Sequence, residues 1–112
     1  DALAADPDAN ADVWFFLGTI AEHDGDPAVA AERYRKSLEL SPDAINVRNN
    51  LAMVLASEPG ADAAQIDEAV ALAGAVVQAR PGDPNFLDTQ AAVLTVAGRY
   101  EDALVAVRTA IE

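Results

Sequence analysis

The feature that most constrains this chain is an internal repetition at a spacing of 73 residues. Trp14, Gly18, Gly25, Ala30 and Ser37 are followed in that register by Leu87, Ala91, Gly98, Ala103 and Ala110, with size and polarity matched at most pairs. A middle copy aligns in two pieces. Leu17, Gly18 and Ala21 recur 34 positions on as Leu51, Ala52 and Leu55, while Ala30, Tyr34 and Pro42 recur 39 positions on as Ala69, Ala73 and Pro81. The two registers close on 73, so the extra residues fall between Leu55 and Ala69, where Ser57-Glu58-Pro59-Gly60 signals a turn. The chain therefore reads as three versions of one unit, the middle one with a longer internal loop.

Each copy reads as two helices. Pro27 and Pro84 each follow an Asp, the N-cap and first-turn proline arrangement that starts a helix, and Asp62 with Gln65 three residues on has the form of a capping box. Gly25, Gly60 and Gly98 stand where the first helix of each pair should stop, supplying the permissive backbone of a tight interhelix turn. The spacing predicts helices over 10–24, 27–40, 43–57, 63–79, 84–97 and 100–112. Composition agrees. Apolar residues make up 52% of the 112 and aromatics 5%, so the apolar share is mostly alanine, the best helix former and one that lets helices pack closely. The predicted class is all-α, within one domain spanning 1–112.

The residues that carry the repetition resemble the tetratricopeptide repeat family. Trp14-x-x-Leu17-Gly18, then Ala30, Tyr34 and Pro42, follow its W-x2-L-G … A-x3-F … P pattern in a unit of about 34 residues. The first copy departs at Ala21, where the family usually has tyrosine, and at Ser37, where it has alanine. Copy two keeps Leu51-Ala52, Ala69 and Pro81 but has Arg48 for the tryptophan and Ala73 for the aromatic; copy three keeps Ala91, Gly98, Tyr100 and Ala103. The resemblance implies an α-solenoid of antiparallel helix pairs wound into a right-handed superhelix, with repeats at 11–44, 45–83 and an incomplete 84–112. Residues 1–10 resemble the end of a preceding repeat, since Asp1 to Asp8 parallels Lys36 to Asp43. Solenoids normally finish on a polar capping helix, and the sequence shows none, so the apolar faces at both ends are expected to be covered, a second copy of the chain being one cover.

Charge and motif content narrow the function. Nineteen acidic against 7 basic side chains give a net charge of −12, and Arg48, Arg80, Arg99 and Arg108 are scattered, so no basic stripe can track a phosphate backbone or an anionic lipid surface. Nucleic acid and direct membrane contact are not expected. The longest weakly polar run, Ala69–Ala79, is far short of the ~18 residues a bilayer span needs. Cysteine is absent, which removes disulfide, thiolate-metal and thiol-nucleophile chemistry. Asp6-x-Asp8-x-Asn10-x-Asp12 has the oxygen spacing of a calcium loop, but Ala11 stands at the glycine position, Leu17 at the bidentate acid, and Pro7 inside the loop. His23, flanked by Glu22, Asp24 and Asp26, is a lone imidazole at a helix end, and the paired acids Asp67-Glu68 and Glu101-Asp102 lie in first turns, where they complement the helix dipole. The chain is read as a non-enzyme with no cofactor and no metal.

Binding is the remaining class. In the tetratricopeptide family the first helix of each repeat lines the concave side, where extended peptides or partner helices dock. Carried onto this chain, that geometry selects Phe15, Thr19, Asn49, Asn50, Met53, Asp88 and Thr89, with Ala92 at the border. Trp14, Leu17, Ala21, Ala30 and Tyr34 fall instead on the predicted buried stripe. Phe15 and Phe16 beside Trp14 leave at least one aromatic that the repeat core does not need, and an exposed aromatic is a hot-spot candidate. Asn46 and Asn50 share a helix face and can hydrogen-bond a ligand main chain. One subset of the family clamps a terminal carboxylate with basic residues and two asparagines; here Asn50 matches, but Phe15, Asn85 and Thr89 stand at the basic places and Thr19 at the second asparagine, so that specificity is not expected. The expected function is a protein-interaction scaffold whose partner offers basic or apolar segments to an acidic surface. The alternatives are a self-association module within a longer array and the non-catalytic arm of a larger enzyme.

Overall fold

The computed structural model describes residues 7–111, which form six α-helices with no strand among them. These are α1 (Pro7–His23), α2 (Pro27–Leu40), α3 (Ile45–Ser57), α4 (Ala63–Ala79), α5 (Pro84–Val96) and α6 (Tyr100–Ile111). The predicted helices are all present, with ends shifted by at most three residues. The largest shift is at α1, which already runs from Pro7, a residue tolerated in a first turn because its missing N–H would have no helical partner there. Residues 7–10, read as part of a preceding repeat, thus belong to the same helix as Trp14. The reading of residues 1–6 lies outside the described residues.

The punctuation acts as the sequence implies. Asp26, Asp62 and Asp83 each accept a backbone N–H from the first turn they precede, from Val29 at 3.4 Å, Gln65 at 2.8 Å and Asn85 at 3.0 Å. The capping box at Asp62 is only half formed: instead of turning back to its own cap, the Gln65 amide donates to the Leu55 carbonyl at 3.1 Å and to Glu58 at 2.5 Å. That bond pair ties the lengthened loop to the end of α3. Gly25 and Gly98, at the same place in copies one and three, have φ of 77° and 79°, a left-handed backbone that a side chain would strain.

Each helix packs on its successor in the chain, and α3 also meets α5. The main core joins Ala21 of α1, Ala30, Ala31 and Tyr34 of α2, Val47, Leu51, Ala52, Val54 and Leu55 of α3, Ala69 and Ala73 of α4, and Val93 of α5. A second cluster of Ala91, Leu94, Ala103 and Ala106 joins α5 to α6. Of the predicted buried stripe, Ala21, Ala30 and Tyr34 are buried, whereas Trp14 and Leu17 are half-buried. Tyr34 explains the glycine of the first copy. A Cβ on Gly18 would stand 2.5 Å from the Tyr34 ring, so α1 lies flush on that ring only because the side chain is missing. Where copy two lacks the ring and has Ala73, the glycine is Ala52, and both are buried.

Candidate partner-binding surface

The first helices of copies two and three, α3 and α5, touch directly, and their contact leaves a small apolar cleft of about 60 Å³. Met53, Ala56 and Ser57 line it from α3, and Ala92, Val93 and Val96 from α5. Met53, Ala92 and Val96 are exposed while Val93 forms the closed floor. An unbranched methionine over small residues makes a surface that can re-pack around different apolar side chains. Asp88, one turn before Ala92, is exposed on α5.

The expected binding residues divide among different environments. Met53 lines the cleft. Asp88 and Thr19 are exposed, the Thr19 hydroxyl donating to the Phe15 carbonyl at 3.1 Å. Phe15 is half-buried, its ring centroid 5.9 Å from that of Tyr34 and 5.8 Å from that of Phe16. The aromatic that the core does not need is Phe16, which is exposed. Asn50 is half-buried beside the Tyr34 hydroxyl. Asn49 is half-buried too, and its Oδ1 is shielded from solvent with no hydrogen-bond partner, a costly state for an amide oxygen. Thr89 is buried rather than groove-lining: its hydroxyl is satisfied within its own helix by donating to the Asn85 carbonyl at 3.2 Å, which lets the residue turn inward. Phe15, Thr19 and Asn50 thus gather around Tyr34, while Met53 lines the cleft and Thr89 is buried.

The cleft residues missed in the sequence had a signal. Met53 and Ala92 occupy equivalent register positions, as do Ser57 and Val96, so carrying the repeat register one turn beyond Met53 reaches Val96. Nothing in a single copy shows that α3 and α5 meet.

Around these helices, basic groups are largely engaged. Arg35 holds Glu68 through two bonds of 2.5 and 2.9 Å, Lys36 faces Glu39, Arg48 faces Asp43 and Arg99 binds Asp102 at 2.7 Å. The Arg35 guanidinium draws the Glu68 carboxyl below its ordinary range. Arg33 donates to the Leu17 carbonyl at 3.0 Å. Buried Tyr34 donates to Glu22 at 2.8 Å, and desolvation, reinforced by Glu22, pushes its hydroxyl pKa up. Asn10 and Asp12 of the calcium-like spacing lie within helix α1, and His23 is exposed at its end. Among the described residues, no group of three or more His, Asp or Glu side chains is placed to hold a metal ion. No described helix is long and apolar enough to cross a membrane.

A larger groove, of about 420 Å³, lies between α4, α5 and α6. Val70, Gly74, Val77, Leu94, Val105 and Thr109 are among its lining residues, and Arg99 and Asp102 stand at its edge already paired to each other. No protein-family model matches the chain, and no curated protein is significantly similar to it in sequence.

Proposed function

We propose that the chain is a tetratricopeptide-like interaction module: an α-solenoid of three helix pairs that takes an extended peptide or a helix of a partner protein on its first-helix face and performs no chemistry itself. The observation that carries this reading is the cleft where Met53 of α3 and Ala92 and Val96 of α5 present exposed apolar atoms above a buried floor. Its size suits one or two aliphatic side chains rather than a cofactor. The partner segment combines apolar anchors with Lys or Arg, because the net charge is −12 and the arginines bound to Glu68 and Asp102 leave most carboxylates unpaired. In this reading Met53 and exposed Asp88 border such a segment, whereas Phe15, Asn50 and Thr89 serve packing.

Selection from a displayed random-peptide library at low salt tests it. Enriched peptides should carry basic and aliphatic residues, and a Met53→Glu, Val96→Glu variant with unchanged helicity should lose them by at least about tenfold in affinity. Equal binding by the variant would remove the cleft from the site.

A further inference from the structure

The groove between α4, α5 and α6 has a counterpart one junction earlier, between α2, α3 and α4, and the register shows what fills the counterpart. Across the earlier one, Arg35 of α2 holds Glu68 of α4 with both arms of its guanidinium, at 2.5 and 2.9 Å. Asp102 of α6 is the equivalent of Glu68, but Gly74 stands at the place of Arg35, and Leu87 of α5 at the place of Arg48. The later groove therefore keeps the acid and has lost both arginines. What remains is a trough of about 420 Å³ with a carboxylate at its edge. Leu87 and Leu94 are its buried floor and half-buried Val70 and Val77 its α4 wall, and nothing lies within 4 Å of where a Cβ on Gly74 would stand. Asp102 has bonding capacity to spare. Both bonds from Arg99, at 3.0 and 2.7 Å, end on Oδ2, and the two side chains are more than half exposed, so Oδ1 can take a second donor at little cost.

We propose that this groove is a second docking site, which takes an arginine of a partner protein in place of the arginine that the chain supplies to its own earlier junction. The aliphatic stem lies over Val70, Gly74 and Val77, and the guanidinium reaches Asp102 as Arg35 reaches Glu68. The planar fork of an arginine matches a carboxylate in a way that the point charge of a lysine does not. The space left beside Leu87 and Leu94 suits an aliphatic residue next to that arginine in the partner segment. A net charge of −12 favours the approach of such a segment. All the walls of the groove belong to described helices, and it shares no residue with the cleft between α3 and α5. It therefore goes beyond the proposed scaffold face, and neither site needs the other.

The test is an NMR titration of the isotope-labelled 112-residue chain with the capped tripeptide leucine-arginine-leucine and with its leucine-citrulline-leucine counterpart, which keeps the stem and removes the charge. The amide signals of Gly74, Val77 and Asp102 should shift saturably with the arginine peptide. Citrulline should weaken binding at least about threefold, the scale of one partly exposed ion pair. Gly74→Arg fills the groove with the chain's own arginine and should abolish the shifts at Val77 and Asp102, whereas Gly74→Ala should keep them. Asp102→Asn should lower the affinity for the arginine peptide to that for the citrulline one, and Met53→Glu, Val96→Glu should leave it unchanged. Absence of saturable shifts, equal binding of the two peptides, or full binding by Gly74→Arg overturns the proposal. Shifts confined to Met53, Ala92 and Val96 would overturn it too, while supporting the cleft between α3 and α5.

Discussion

In the first helix pair, α1 and α2 are locked by a buried ring in a glycine notch and by side-chain bonds across the pair: Tyr34 to Glu22, Arg33 to the Leu17 carbonyl, and Ser37 to the Ala11 carbonyl at 2.7 Å. In the third pair, α5 and α6 meet through Ala91, Leu94, Ala103 and Ala106, and the position equivalent to Tyr34 is Val107, which is 44% exposed. The same unit is thus held once by a specific, polar-anchored interlock and once by close packing of small side chains. The difference teaches that the shared pattern fixes where the helices run, while the pair of residues at the notch decides how strongly they are held.

The largest test of that contrast is truncation at the two equivalent positions. Tyr34→Ala removes a fully buried aromatic and leaves Glu22 without its donor, and should cost about 3–5 kcal/mol. Val107→Ala, at the matching place in the third pair, should stay within about 1 kcal/mol because the side chain is small and nearly half of it is already exposed. Urea titrations of both variants decide the matter, and equal losses would erase the distinction between the pairs.

Next in size is the notch itself. Gly18→Ala places a methyl carbon 2.5 Å from the Tyr34 ring and should destabilise by about 1–3 kcal/mol, the range for overpacking a core. Combined with Tyr34→Ala, the same change should become neutral or favourable, since Ala52 and Ala73 already pack as that pair in copy two. A double-mutant cycle reads the coupling directly. Strict additivity of the two changes would show that ring and notch do not depend on one another.

Much of this arrangement is legible in the sequence. Asp-Pro starts, the Asp62 cap and the turn glycines mark the helices because those residues act through local backbone geometry, which a single chain segment contains. The requirement for a glycine at position 18 is different in kind. It depends on a ring 16 residues away, and only the register, pairing Gly18 with Tyr34 and Ala52 with Ala73, hints at it. The candidate surface is least legible. Three consecutive aromatics, Trp14 to Phe16, point around α1 at about 100° intervals, and which of them is surplus depends on where α2 lies. Phe15 turns toward Tyr34 and Phe16 outward, and Thr89 turns inward because its hydroxyl has a carbonyl of its own helix to bond. The cleft is made by the contact of α3 with α5, a distance relation that no spacing within one copy encodes.

A smaller effect concerns the groove between the second and third pairs. In the register of copy two, Arg35 is replaced by Gly74, a glycine within α4 with nothing within 4 Å of where a Cβ would stand. Gly74→Ala should therefore stabilise the fold by about 0.8–1 kcal/mol through helix propensity alone, measured as a rise in the urea midpoint at unchanged slope. A loss of stability would mean that α4 needs its glycine for a closer approach than the structure has.

The smallest effect separates charge from propensity at that position. In copy two the acid Glu68 reaches Arg35 of the preceding second helix, whereas its equivalent Asp102, which lines the same groove as Gly74, binds Arg99 of its own turn. Gly74→Arg should restore the missing partner and draw Asp102 across the groove, so the increment of Gly74→Arg over Gly74→Ala reports a bridge between partly exposed groups, worth no more than about 1 kcal/mol. The native bridge provides the sign. Arg35 lowers the Glu68 carboxyl below its unfolded value, so the stability it contributes is present above the ordinary carboxylate range and is lost as pH falls through the lowered folded value. Glu68→Gln should thus be less stable than wild type at neutral pH, converge with it in acid, and approach it at high salt. The increment of Gly74→Arg should fade in the same direction. An increment that survived both acid and salt would be packing of the introduced arginine stem over Val70 and Val77, and the second and third pairs would then differ in how much apolar surface they leave open rather than in charge.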